Sequence, residues 1–179
     1  MVTVNNAYEG SAVVRRSERK QKDPDLGNLS TRLLFSIQKE LFETLAQQGH
    51  PQLRPQHGAV LGFLDEEGTR ATELSRQSGT HKQVIGNLID ELEALEYVER
   101  RPDPRDRRAK LIVPTRRGRD QMEKSDAIMA AIEQRHAEAI GERKYAVFKG
   151  AFREITAQQL AQFDEVAASR REPRKGTGR

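Results

Sequence analysis

The sequence predicts a mostly α-helical fold that carries one small β-hairpin. Three observations lead there. Apolar residues recur at three- and four-residue spacing through most of the chain, the pattern of amphipathic helices. Aromatic residues make up 5% of the chain and charged residues 32%, a composition suited to helices more than to a sandwich of aromatic-paired strands. Near the middle, two strand-like segments, Tyr97 to Arg100 and Lys110 to Val113, flank a stretch rich in proline and arginine.

At 179 residues the chain is long enough for one domain with its own core, plus helical extensions that could pack against a partner. It contains no cysteine, which excludes a disulfide framework, a thiolate zinc site and a cysteine redox sensor. No run approaches the roughly 20 apolar residues of a membrane span, and the N-terminus has no apolar stretch of signal-peptide length; a cytoplasmic protein is expected. The net charge is +4, but it is concentrated. Glu99 to Lys110 carries a local +3 and Arg170 to Arg179 a local +4, so the remainder sums to −3. A local basic patch is what nucleic-acid binding requires.

Residues 1–27 show no sustained period and end in the turn-like Asp23-Pro24-Asp25-Leu26-Gly27, the reading of a flexible arm. Asn28 or Ser30 can cap a helix within 28–49, in which Leu29, Leu33, Leu34, Ile37, Leu41, Phe42 and Leu45 form an apolar stripe. After His50-Pro51, a second helix is expected from about Pro55 to Leu64, then a short connector. Thr72 can cap a brief helix, Glu73 to Gln77. Ser78-Gly79-Thr80 forms a tight turn in which Gly79 can take positive φ. A helix from about His81 to Leu95 follows, with Val84, Ile85, Leu88, Ile89, Leu92 and Leu95 as its apolar rows.

Two short helices joined by a glycine-containing turn match a helix-turn-helix, whose second helix enters the major groove. By themselves they fit an ordinary core hairpin equally well. The hairpin that follows tips the balance: Arg101 to Ala109 reads as a loop stiffened by Pro102 and Pro104 and loaded with arginine. Such a basic wing can lie along phosphates and reach a narrow minor groove. The fold becomes a winged helix-turn-helix over 51–114. Pro114 ends the second strand, and Thr115 caps a long helix to about Ile140. Gly141 breaks it, and a last helix runs from about Arg143 to Ala168, so that 115–169 completes a helical flank. Residues 170–179 read as a disordered basic tail.

Within the second helix of the motif, charge distinguishes the ends. His81, Lys82 and Gln83 stand at the start, while Asp90, Glu91, Glu93 and Glu96 crowd the second half, which phosphates would repel. Thr80, Lys82, Gln83, Gly86 and Asn87 are therefore the groove-facing candidates, with Gln83 and Asn87 suited to an adenine edge and Lys82 to phosphate or guanine. Gly86 costs the helix about 1 kcal/mol relative to alanine. Close approach of DNA to the backbone would explain it, and so would a protein side chain packed there.

The stretch Leu53 to Gly118 resembles the MarR family of regulators. The resemblance rests on Glu73-Leu74, Leu88-Ile89-Asp90-Glu91-Leu92-Glu93, Tyr97-Val98-Glu99-Arg100, Asp103-Pro104-Arg105-Asp106-Arg107-Arg108-Ala109-Lys110 and Pro114-Thr115-Arg116-Arg117-Gly118. It implies a homodimer whose first and last helices interlock, each subunit offering one recognition helix to half of a pseudo-palindromic duplex site. It places Arg108 in the minor groove, Asp106 as the residue bracing the hairpin, and Arg105, Arg107 and Lys110 on phosphates. It also implies a small effector, often aromatic and anionic, in a cleft that Arg32, Phe35, Lys39, Arg54 and His57 could line. Glu96 departs from the family pattern, which has glycine at this helix end.

No enzyme site emerges. His50, His57, His81 and His136 are scattered, and no phosphate loop or nucleophile elbow is present. No cofactor or resident metal is expected, although histidines of different helices could still meet in space. The competing reading is a winged-helix module that binds protein. Its mark would be an apolar, uncharged wing, and this wing is rich in arginine.

Overall fold

A computed structural model describes residues 21–169, except the side chains of Arg107 and of residues 163–169. The expected tail and most of the arm lie outside the described residues. The elements are α1 (Leu26–Gln47), a 3-10 turn (Pro55–His57), α2 (Gly58–Leu61), β1 (Thr69–Arg70), α3 (Ala71–Ser78), α4 (Lys82–Ala94), β2 (Val98–Asp103), β3 (Asp106–Pro114), α5 (Arg116–Ile140) and α6 (Glu142–Ser169). They fall into two compact units, up to Lys124 and from Ser125 onward.

In the first unit, α1 begins earlier than its sequence suggests. Asp25, not Asn28 or Ser30, is the cap, its carboxylate accepting the Asn28 amide at 2.8 Å. Of the apolar stripe on α1, Phe42 and Leu45 are buried, whereas Leu29, Leu33, Leu34 and Phe35 are exposed. The expected helix from Pro55 to Leu64 is shorter and divided, a 3-10 turn followed by one α-turn. The helix expected at Glu73 begins two residues sooner, and no side chain caps it.

The core of this unit gathers Leu74 from α3, Ile85, Ile89 and Leu92 from α4, Tyr97 from the junction before β2 and Ile112 from β3, each nearly inaccessible. Burying one such aliphatic side chain contributes about 1.5–3 kcal/mol. Two residues depart from the expected stripe: Val84 of α4 is 47% exposed, and Leu95, just past its end, is only partly buried.

The sheet has three antiparallel strands in the order β1-β3-β2. The connector before α3 thus supplies a strand that its composition hides, Thr69 and Arg70 pairing with Ile112 and Leu111. The hairpin is also longer than expected. Arg101 to Ala109 is mostly ladder, and only Pro104 and Arg105 form the turn. Pro102 is tolerated because β2 is an edge strand, where a missing amide costs no inner-ladder bond.

The junction from α4 into β2 is tightly determined. The Tyr97 amide donates to Leu92 O at 2.9 Å and the Glu96 amide to Glu93 O at 3.0 Å, the paired bonds of a Schellman ending. That ending needs a left-handed residue, and Glu96 supplies it at φ 61°, the one non-glycine residue at positive φ among those described. The Thr115 hydroxyl donates to Glu96 O at 2.6 Å, and the Thr115 oxygen accepts the Gly118 amide at 3.1 Å as the cap of α5. Gly118 permits this approach, since a Cβ there would overlap the Tyr97 carbonyl oxygen.

The Arg117 guanidinium lies 4.5 Å above the Tyr97 ring and donates to Leu95 O at 2.9 Å. His50 is buried beneath, its Nδ1 3.0 Å from the Tyr97 hydroxyl and its Nε2 3.0 Å from Asp120 Oδ2. Burial and the Lys124 charge hold the His50 pKa below its ordinary value, against the opposing pull of Asp120.

In the second unit, Gly141 (φ 90°) separates α5 from α6. Tyr145, Phe148 and Phe152 form a ring ladder along α6, and Lys149 pairs with Glu133.

The left-handed strain at Glu96 generates a test. Glu96→Gly should raise the unfolding free energy by about 1 kcal/mol, because glycine adopts this conformation without the Cβ penalty. Urea denaturation of the two proteins measures it. Gly118→Ala should act in the opposite sense.

Candidate nucleic-acid interface

The helix-turn-helix begins with a fastened turn. Gly79 takes φ 66°, the Ser75 hydroxyl donates to Thr80 O at 2.7 Å, and the Thr80 amide donates to Ser78 Oγ at 3.2 Å. His81 then caps α4, its Nδ1 accepting the Gln83 amide at 3.3 Å. This role is invisible in the sequence, because histidine is not among the usual capping residues. Lys82, Gln83 and Asn87 are exposed, and Thr80 and Gly86 are partly exposed. Gln83 and Asn87, four residues apart, share one face of the helix.

Packing within the chain does not account for Gly86. A Cβ added there meets nothing within 4 Å, so no protein side chain requires the glycine. It lines a cavity of about 340 Å³ between α4 and the sheet, shared with Arg70, Ile89, Arg100, Lys110 and Ile112.

The acidic second half of α4 serves as its anchorage. Arg100, in β2, pairs with both Asp90 and Glu93, and its amide donates to Glu93 Oε1 at 3.1 Å. Partial burial opposes the Arg100 charge, but the two carboxylates outweigh it and raise its pKa. On the opposite flank, His57 of the 3-10 turn lies 3.0 Å from Glu91 Oε2. Its Nδ1 accepts the Arg54 amide at 3.1 Å, leaving Nε2 to carry the proton toward Glu91. That hydrogen bond, with help from Gln56, holds the Glu91 carboxyl below its ordinary pKa.

The wing is braced by two carboxylates where the sequence suggested one. Asp103, 3% exposed, accepts the Arg105 amide at 2.8 Å and the Arg70 Nε at 2.6 Å. The Arg105 amide, then Arg70, hold its carboxyl below the usual range. Asp106 accepts the Arg108 amide at 3.1 Å and lies 3.8 Å from Arg70. It therefore steadies the Arg108 backbone, and its arginine partner is Arg70, not Arg108. The arginine that Asp103 and Asp106 share comes from the strand hidden before α3, which is why sequence spacing could not identify it. Arg105, Arg108 and Lys110 are exposed; the Arg107 side chain lies outside the described residues.

The effector candidates divide. Phe35 and Lys39 line a largely apolar cavity of about 490 Å³ together with Gln38, Phe42, Glu43, Ala46 and Pro55. Arg32 and Arg54 do not line it. His57 is 2% exposed and engaged with Glu91 and the Arg54 amide, so it is a structural residue and not a cavity wall. Among the described residues, no three His, Cys, Asp or Glu side chains gather as a metal site, and no helix is long and apolar enough to cross a membrane.

Residues 52–109 match the profile of the MarR family. Solved structures share the fold. CouR from Rhodococcus jostii RHA1, bound to p-coumaroyl-CoA, is 28% identical over 73% of this chain and 91% of its own, with a TM-score of 0.60. A MarR-family transcriptional regulator from Rhodococcus sp. RHA1 is 27% identical over 73% of this chain and 93% of its own, with a TM-score of 0.59. In fold alone, the transcriptional repressor CouR bound to a 23-mer DNA duplex is similar at 23% identity, covering 77% of this chain and 96% of its own with a TM-score of 0.63. No curated protein matches the chain in sequence.

Two outcomes follow from this geometry. Asp103→Ala should abolish hydrogen-exchange protection of the Arg105 amide, whereas Asp106→Ala should expose that of Arg108, each read residue by residue by NMR. Gly86→Ala should raise stability by about 1 kcal/mol in urea denaturation, since the methyl group enters open space and helix propensity improves.

Proposed function

We propose that the chain, whose residues 52–109 match the MarR family, is a homodimeric, ligand-responsive transcriptional repressor that binds a pseudo-palindromic operator. One observation carries the DNA reading: α4 is anchored through its acidic half and leaves Lys82, Gln83 and Asn87 free at the other. Thr80 and Gly86 complete the groove-facing set, Gly86 by letting the backbone come close to DNA. Arg108 reaches the minor groove from the wing while Arg105, Arg107 and Lys110 hold phosphates, and Asp103 and Asp106 brace the hairpin. Arginine suits a narrow minor groove, whose negative potential is strongest.

Two faces support a dimer. On α1, Leu26, Leu29, Leu34 and Phe35 are each at least half exposed, and on α6 Val147, Phe148, Ile155 and Leu160 are exposed. Apolar side chains left exposed along a helix in this way mark an interaction site. A second copy covers it and brings a second reading helix to the next half-site.

The cavity beside Phe35 and Lys39 supports an effector site. Its volume falls within the range of small-molecule pockets, its walls are apolar, and Lys39 offers a cation to an acidic ligand. CouR, similar over most of its length, binds an aromatic acyl thioester. The effector of this chain is of the same broad kind, an aromatic or anionic small molecule.

The test is selection from random duplexes across a range of salt. A two-fold symmetric site should emerge, with log affinity falling steeply against log salt. Arg108→Ala should weaken binding at least tenfold, and Gln83→Ala should relax base choice at one position per half-site, a discrimination of about 1–3 kcal/mol. Absence of a selected sequence, or indifference to Arg108→Ala, would overturn the DNA reading in favour of a protein-binding module.

A further inference from the structure

Among the described residues of α3 and α4, one large apolar side chain is exposed, that of Val84, at 47%. It stands at the third position of α4, immediately after Gln83 and three residues before Asn87. Helix energetics do not favour valine there. An acidic or amide side chain at this position can bond back to the capping residue and suit the helix dipole, and the first turn of α4 contains no acid. A β-branched side chain also loses rotamer freedom in a helix. Packing does not explain the choice either, because the buried face of α4 is formed by Ile85, Leu88, Ile89 and Leu92.

Resting on the DNA reading above, we propose that Val84 is a specificity-determining residue that recognises the C5-methyl group of thymine in the major groove. The chemistry is narrow. Recognition helices meet base edges with their N-terminal residues, and among the four bases only thymine presents an apolar group in that groove. The neighbours of Val84 suit the same base pair. Gln83 and Asn87 carry amides, which pair in two-bond fashion with the N6 and N7 of adenine, so a valine beside them meets the methyl of the adenine's partner or of the adjacent pair. The polar pair and Val84 together form an A·T-reading set. A carboxylate in this position would be repelled by phosphate, and a hydroxyl would not distinguish the methyl.

Replacing thymine by deoxyuridine removes the methyl and leaves the pairing edge, which makes the test selective. After the preferred duplex is identified, each thymine is replaced in turn, and binding of wild type and Val84→Ala is measured. Deoxyuridine at this position in one half-site should weaken wild-type binding about fourfold, and about fifteenfold when both half-sites are changed, the loss expected for one buried methyl per half-site. Val84→Ala should lose a similar factor on the thymine duplex and nothing more on the deoxyuridine duplex. An unchanged melting temperature would show that the variant is folded, as an exposed position predicts.

Penalties that multiply independently, or a wild-type protein indifferent to every thymine methyl, would overturn the role of Val84. In that case the selected site and its dependence on Arg108 persist. If no site is selected at all, the DNA reading fails and this role fails with it.

Discussion

Anchorage of α4 by its acidic half is the constraint on which the site depends. A helix that is to present one end to a polyanion must be held by the other, and it must be held from both flanks if it is not to roll. Arg100 supplies one hold through Asp90 and Glu93, and His57 supplies the other through Glu91. Arg117 fixes the end of the helix through Leu95 O while covering the Tyr97 ring. Each pair is partly exposed, so none contributes much stability alone; their value is orientational. Asp90 and Glu93, which would repel phosphates, are neutralised by the guanidinium of Arg100.

Much of this was legible in the sequence, for physical reasons that differ by element. The periodicity of α4 and the glycine turn before it depend on neighbours within a few residues, and local sequence carries such information well. Gly79 and Gly118 were readable for the same reason, one set by a turn and the other by a motif. The charge division of α4 was visible, but its meaning was incomplete, because the partners Arg100 and His57 lie on other elements. Val84 fits the apolar stripe by its spacing, yet its position on the helix surface falls just outside the buried arc.

The wing shows the opposite difficulty. Proline and arginine in Arg101 to Ala109 suggest a loop, yet pairing with β3 turns most of it into strand, and two residues suffice for the turn. The strand at Thr69–Arg70 has almost no local signal, being two residues long and defined by its partner. With it went the identity of Arg70 as the cation shared by Asp103 and Asp106. The effector candidates divide for a related reason: Phe35 and Lys39 lie on one helix and line one cavity, whereas His57 is committed to Glu91.

The edge position of β2 has a consequence for how molecules behave when crowded together. An open strand edge is a template on which another strand can add, and it promotes unwanted sheet extension between copies. Here the edge is blunted three times over: Pro102 lacks an amide, the register shifts between Pro102 and Asp103, and Arg101 is exposed at the hairpin. Two such hairpins brought side by side would repel before they could pair. The protein can therefore project a long, stiff ribbon into solvent without that ribbon becoming a seed for aggregation.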